Sequence, residues 1–449
     1  MNILSFILVT TSAFLLQSAF MWGEQCAWMA FIFLMPLLYS VVRCSMRRPF
    51  LTGLWWGLIF FTSHFSALLV VLHEKAQGSL RLVAGAIFIV YCALHVGLWF
   101  SINAWIARGR SEQIKVFFWS VGAWFYFYWL CNFILWPCGH LVGYCFGSPL
   151  IALTGHPYFL STVGSLGSNI LLLFLIGIQA SSVLFFISDT RYGIIILVCV
   201  TPFCLRLLNR EVQIIPHYVS ELCYVKPPPK RIFHPYERAE EINMCITRAL
   251  QLKPAAQCIL MPESSFAHCL NTFPEIIELW GTNSLAQGNT LCIGSYRADT
   301  YNEYNTLYKI ERCRITSLYD KSFLMPFVEY IPNFGKNFSY IRDLFLKSYR
   351  EFSPKKRSPE ALALTDALFV QPLICSDIYM EPYMHCLKKT TSIPILLIVN
   401  DSWFSCLYAQ RLMFLYAVYY AMCHKRDILY IGYSYGCWIN HITGKTILL

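Results

Sequence analysis

Charge is scarce in this chain. Only 13% of its 449 residues are charged and 57% are hydrophobic, whereas a soluble domain carries about a quarter charged residues. The deficit excludes an ordinary soluble protein and points to a membrane protein. Long basic runs and basic helices are also missing. The net charge of +10 therefore reads as basic residues flanking membrane spans, and a nucleic-acid partner is not expected. The 19 cysteines include no Cys-x-x-Cys pair and no Cys/His cluster with zinc spacing, which argues against a metal site. Their scattered, odd number supports no disulfide framework either. Several sit in apolar runs (Cys92, Cys131, Cys199), where a small buried apolar role is expected. No internal repeat or low-complexity tract is visible.

What is abundant is apolar sequence, and it is unevenly placed. Residues 1–209 predict a helical bundle of about seven spans, at 3–22, 27–44, 51–72, 82–106, 115–135, 159–187 and 193–208. Most reach the ~20 residues needed to cross the hydrocarbon core. The first span has no basic n-region and others follow it closely, so it reads as a retained helix rather than a cleaved signal. Arg43, Arg47 and Arg48 follow the second span, Arg108, Arg110 and Lys115 the fourth, and Arg191 the sixth. The alternate loops hold only Lys75 and Arg81. Basic loops face the cytoplasm, which places the N-terminus inside and everything after about residue 210 outside. His64, His95, Asn103 and Asn132 lie in or near spans, and interhelical hydrogen bonding is the simplest account of them.

Residues 210–449 are different material. The stretch 225–241, "VKPPPKRIFHPYERAEE", cannot be a membrane helix. Beyond it, 237–252 reads as an amphipathic helix. The runs 258–261, 290–296, 305–311, 367–375, 394–400 and 427–434 read as strands rich in Ile, Leu and Val. Strands alternating with helices predict an α/β domain. The apolar run 406–423 could be an eighth span. A buried helix of the α/β domain is preferred, because Gln410 and Arg411 interrupt its start and a strand follows.

Three places join a reactive side chain to the end of a predicted strand. Glu263 follows "CILMP", Lys321 stands in "LYDKSFLMPFVEYIP", and Cys375 follows "FVQPLI". In open α/β sheets, functional groups gather beyond the carboxyl ends of strands. Together the three would form an acyl-transfer device. The Cys375 thiolate attacks, Glu263 moves the proton, and Lys321 with a backbone N–H just after Cys375 stabilises the oxyanion. Taken singly, each has a plainer reading: a packed cysteine, a loop carboxylate, and a surface lysine beside Asp320.

The segments "PESS", "YDKSFLMPFVEYIP", "ICSDIYMEP" and "IVNDSWFS" occur in this order. They resemble the signature segments of the carbon–nitrogen hydrolase (nitrilase) superfamily with its Glu-Lys-Cys triad. With the preceding bundle, the chain resembles the apolipoprotein N-acyltransferase family in particular. Lys321, Leu324, Pro326, Phe327, Glu329, Tyr330 and Pro332 meet one motif of that family. Asn400, Asp401, Trp403 and Phe404 meet another. The resemblance implies a nitrilase-like αββα sandwich on the periplasmic side of a bacterial inner membrane. It also implies transfer of an acyl chain from a phospholipid, through a Cys375 thioester, to the α-amino group of the diacylglyceryl-cysteine of a lipoprotein, with no cofactor or metal.

In that family Glu329 is the additional glutamate that fixes Lys321. Ser376, Asp377, Asn400 and Trp403 are expected in support, with Ser376 and Asp377 where the family usually has Tyr and Glu. The family usually continues with further strands and a last membrane helix, so the domain is expected to be short at its C-terminus. The aromatic stretch 330–346 would be either a mobile arm at the bilayer surface or a buried helix. Two other functions compete: a membrane-tethered amidase in which water resolves the thioester, and a relative that has kept the fold but lost activity.

Overall fold

The computed structural model describes residues 3–22, 25–44, 46–66, 80–127, 148–154, 168–187, 216–228, 234–283, 285, 288–325, 329–330, 351–355, 360–379, 393–403, 407–442, 444 and 446–449. The predicted span 193–208, the segment 129–137, the greater part of the 330–346 stretch, and Pro326, Phe327, Pro332 and Phe404 lie outside these residues. So does the predicted domain boundary near residue 209.

The N-terminal part is an array of packed helices: α1 (Ile3–Met21), α2 (Leu34–Arg43), α3 (Pro49–His64), α4 (Leu80–Ile106), α5 (Glu112–Phe125), the short α6 (Pro149–Leu153) and α7 (Ser168–Ile187). Two stretches, Ile3–Met21 and Gly85–Ile106, are long and apolar enough to cross a membrane. The predicted span 27–44 is not one continuous α-helix. A 3-10 turn (Ala27–Phe31) precedes α2, and this break frees backbone groups that apolar surroundings cannot satisfy. The Gln179 amide of α7 meets them: its Oε1 accepts the Leu34 N–H at 2.6 Å, and its Nε2 donates to the Ala30 carbonyl at 3.3 Å.

Helices consecutive in the chain from α1 to α5 alternate in direction. Ser5, at the start of α1, hydrogen-bonds Ser40 near the end of α2. Trp55 and Trp56 of α3 donate to Thr10 and Ser12 of α1, so those two helices run parallel. Gly57 of α3 lies against Ala93 of α4, where an added Cβ would sit 2.7 Å from the Ala93 Cα; a small residue lets these backbones approach. The α2–α3 and α4–α5 connections therefore share one end of the array, and Arg43 and Glu112 meet there at 3.7 Å.

The C-terminal part is built on two six-stranded sheets. The first contains β1 (Leu222–Tyr224), β2 (Cys258–Leu260), β3 (Phe266–Cys269), β4 (Thr290–Ala298), β5 (Glu303–Glu311) and β6 (Arg314–Asp320). Its order is β1-β2-β4-β5-β6, with β3 also on β4. The second contains β7 (Leu362–Ala363), β8 (Phe369–Ile374), β9 (Ile395–Ile398), β10 (Ile428–Ile431), β11 (Gly436–Ile439) and β12 (Thr446–Leu448), paired in sequence order. The central strands β8, β9 and β10 are parallel and apolar on both faces, as a sheet covered on both sides requires.

Burial defines the layers. Leu260, Cys292 and Leu307 of the first sheet pack against Ile374, Ile398 and Leu429 of the second. The outer face of the first sheet, with Ile259 and Ile293, is covered by Ile242 and Ile246 of α8 (Pro235–Leu252) and Trp280 of α9 (Pro274–Asn283). The outer face of the second sheet, with Leu397 and Tyr430, is covered by α10 (Leu407–Cys423). The domain is thus a helix–sheet–sheet–helix sandwich, and the preferred buried helix is α10, Leu407–Cys423. This helix is apolar all round because both of its faces are covered. One packs on the sheet, as in the Phe414–Tyr430 ring pair at 5.5 Å, and the other meets the helical array. The Tyr408 hydroxyl joins His64 Nδ1 at 3.0 Å and accepts from Gln17 Nε2 at 3.3 Å. The domain docks where α1 and α3 end, opposite the Arg43–Glu112 end.

Candidate active site

Glu263 arrives on an interruption in a strand line. After β2 the chain leaves the sheet at Pro262 and rejoins it as β3, again beside β4. Gly294 of β4 lies under this excursion, where an added Cβ would stand 2.5 Å from the Glu263 Cα. Ser264 takes φ 54°, a left-handed conformation that costs a non-glycine residue free energy, and the Ser265 hydroxyl closes the turn on the Pro262 carbonyl at 2.7 Å.

Lys321 follows β6, and its backbone N–H donates to the Asn305 carbonyl of β5 at 2.8 Å. Alternate residues of a strand share a face, so Asn305 lies on the side of Leu307, toward the second sheet. Its side-chain nitrogen donates to Glu263 Oε1 at 2.7 Å and to Glu329 Oε1 at 2.9 Å. Lys321 Nζ reaches the same two carboxylates, at 3.3 Å to Glu263 and 2.9 Å to Glu329. The Met325 N–H donates to Glu329 Oε2 at 2.8 Å. All four side chains are buried. A buried ammonium is tolerated only when paired, and here two carboxylates hold it. Burial opposes the Lys321 charge, but Glu263 and Glu329 outweigh it and keep the ammonium well above its usual range.

Cys375 begins the turn after β8, half-buried, with φ 47°. Among described non-glycine residues only Ser264, Arg312 and Lys425 share such a backbone, so two of the four strained positions belong to this site. Burial, and next the negative charge of Glu263, push the thiol well above its usual range; Lys321 and an N–H from Asn400 pull the other way. These surroundings favour the thiol over the thiolate, so a nearby base would help to ionise it.

The residues after Cys375 hold the turn. Asp377 is fully buried. Its Oδ1 accepts N–H bonds from Ser322 (3.2 Å) and Phe323 (2.8 Å), and its Oδ2 accepts from Ile374 N–H (3.0 Å) and the Tyr319 hydroxyl (2.9 Å). Burial pushes this carboxyl up to about 6, with Lys321 and the N–H donors limiting the rise. At neutral pH it is ionised, as four donors require. Ser376 Oγ donates to the Phe323 carbonyl at 2.6 Å. The pair therefore ties the cysteine turn to the loop after Lys321. Asp401 ties its own turn to the loop after β10, accepting the Tyr433 N–H at 2.6 Å. Asn400 is buried beside it, with its Oδ1 accepting the Ser402 hydroxyl at 2.6 Å, and Trp403 closes the turn Asp401–Trp403.

No family model matches the chain. The apolipoprotein N-acyltransferase of Brucella suis biovar 1 (strain 1330) is 30% identical over 162 residues, 34% of this chain and 29% of that protein. The protein of the same name from Caulobacter vibrioides is 32% identical over 169 residues, covering 34% and 30%. The chain resembles apolipoprotein N-acyltransferases. The matched part is less than a third of the length of these relatives. Among solved structures, a mutant of the Nesterenkonia AN1 amidase from the nitrilase superfamily is similar at 12% identity, with 50% of this chain and 84% of that chain covered and a TM-score of 0.38. A Saccharomyces cerevisiae member of branch 10 of that superfamily gives 12%, 50%, 83% and 0.35.

Residues from several of the motif segments lie close together. Glu263, Lys321 and Glu329 share one hydrogen-bonded group, and their charges act on Cys375. Ser376 and Asp377 lie within the cysteine turn, and an Asn400 N–H reaches Cys375. The sequence reading missed Asn305, Tyr319 and Gly294. Asn305 had a signal: a polar residue two before Leu307, on a face that must enter the core. Among the described residues no group of three or more His, Cys, Asp or Glu could hold a metal ion.

Proposed function

We propose that this protein transfers an acyl chain from a membrane phospholipid to the α-amino group of a diacylglyceryl-cysteine at the N-terminus of a lipoprotein, by way of a thioester on Cys375. The observation that carries the reading is the buried Glu263–Lys321–Glu329–Asn305 group, whose charges act on a half-buried cysteine at a strained strand exit. Docking of this domain on a helical array with membrane-length apolar helices favours lipid substrates over soluble ones.

The residues have complementary parts in this reaction. Glu263 takes the thiol proton as Cys375 sulfur attacks the ester carbonyl carbon. An ammonium has three N–H donors; the glutamates occupy two on Lys321, and the third faces the developing oxyanion with the Ser376 backbone N–H. The C–O bond breaks, and the lysophospholipid alkoxide leaves with the proton from Glu263. The amine then attacks the thioester, Glu263 takes its proton, and the C–S bond breaks to restore the thiol. Asn305 and Glu329 fix the positions of Glu263 and Lys321 without touching substrate.

The basic α2–α3 and α4–α5 connections lie opposite the catalytic domain, which supports a multi-pass protein with those loops in the cytoplasm and the domain in the periplasm of a bacterial inner membrane. The test supplies the full chain with phospholipid and a diacylated lipopeptide. N-acylated peptide and lysophospholipid should form in equal amounts. Free fatty acid without N-acylated peptide would mean that water resolves the thioester, as in an amidase, and no acylation at all would mean a relative without activity.

A further inference from the structure

An open cleft lies at the Arg43–Glu112 end of the helical array. The connection from α4 to α5 turns at Gly109, whose φ is 71°, and the turn exposes Arg108 and Arg110 on either side. Trp105, one turn back on α4, is 77% exposed. Together with Ile106 these residues line an open cleft of about 530 Å³. Among the described residues no carboxylate pairs with Arg108 or Arg110. Glu112 is engaged by Arg43 at 3.7 Å, which also brings the α2–α3 connection with Arg47 and Arg48 to the same end.

The chemistry of the cleft is specific in kind. Guanidinium groups match phosphate oxygens in a planar, bidentate manner. An exposed tryptophan at the end of a membrane-length helix belongs at the headgroup level, where its ring is half in hydrocarbon. Basic pockets at the ends of membrane helices suit anionic lipid headgroups. The apolar flank of α4 below the cleft, with Leu98 and Ile102 exposed, would lie along the acyl chains of such a lipid. A free phosphate would make no use of that flank.

We propose that Arg108, Arg110 and Trp105 form a binding site for the headgroup of an anionic phospholipid, at the end of the helical array opposite the acyl-transfer site. The site acts as an anchor and takes no part in the chemistry at Cys375.

Native mass spectrometry of the full chain in detergent tests this, with phosphatidylglycerol and phosphatidylcholine of matched acyl chains in competition. The wild type should retain phosphatidylglycerol preferentially. Arg108→Ala with Arg110→Ala should lower that affinity about tenfold or more and erase the preference, whereas the paired Arg→Lys variant keeps most of it. The same arginine-dependent difference should appear when every variant also carries Cys375→Ala, a background in which neither lipid can form a thioester. Equal retention of the two lipids by the wild type, or an unchanged preference in the double alanine variant with an unchanged melting temperature, would overturn the proposal. If the double alanine variant does not fold, loss of preference in the folded Arg→Lys variant would also count against a charge-based headgroup site. Displacement of the lipid by millimolar inorganic phosphate, with phosphate bound in its place, would assign the cleft to the free anion.

Discussion

The two halves of the molecule bury different kinds of polar group. In the helical array the buried polar side chains among the described residues are neutral hydroxyls, amides and one imidazole, such as Ser5, Ser12, Gln17, Gln179 and His64. In the α/β domain they include full charges: Glu263, Lys321, Glu329, Asp377 and Asp401. A hydroxyl or amide can be satisfied by one or two nearby backbone groups, as Gln179 is. A buried charge needs several partners at once. The array tolerates polar groups that repair its own backbone. In the domain, the charges of Glu263, Lys321 and Glu329 act on one cysteine.

Breaking the charge group should therefore have the largest effect. Lys321→Ala leaves Glu263 and Glu329 buried without their cation. Losing one partner of a buried ionic group costs about 3–5 kcal/mol, and losing an oxyanion donor costs ~10²–10³ in rate. Thioester formation by quenched flow and melting of the purified chain would read both. A loss no greater than that from a surface lysine variant would refute the contrast between the halves. Gly294→Ala tests the close approach that admits Glu263. Its Cβ would fall 2.5 Å from the Glu263 backbone, and such overpacking costs about 1–3 kcal/mol, so activity should fall with stability while the array still folds. The smallest effect belongs to the junction. Tyr408→Phe removes the bonds to His64 and Gln17, neutral groups in both cases, and should cost about 1 kcal/mol, visible as a small drop in melting temperature with acylation preserved.

The difference also governs how much could be read from sequence. The strands β2, β4, β5, β8, β9 and β10 and the helices α8 and α10 were legible because each is a dense apolar or amphipathic run. The elements β1, β6, β11, β12 and α9 were not. β6, "RITSLYD", is an edge strand exposed along one face, and β11 opens on a glycine. In the helical array, hydropathy marks apolar length but does not reveal a break, so the 3-10 turn before α2, whose backbone Gln179 satisfies, leaves no mark in the sequence. At the site, Glu263, Lys321, Glu329 and Cys375 were legible as reactive side chains in motif segments. Asn305 and Tyr319 act only through their partners, and nothing local in the sequence reveals a partner that is distant along the chain.

The most direct test of the account is the mass of the protein itself after incubation with phospholipid alone, without an amine acceptor. Wild type should gain one acyl group, released by hydroxylamine and mapped to Cys375, and Cys375→Ala should gain none. An adduct that persists in Cys375→Ala, or a wild-type chain that never carries one while lipid and protein are intact, would contradict it.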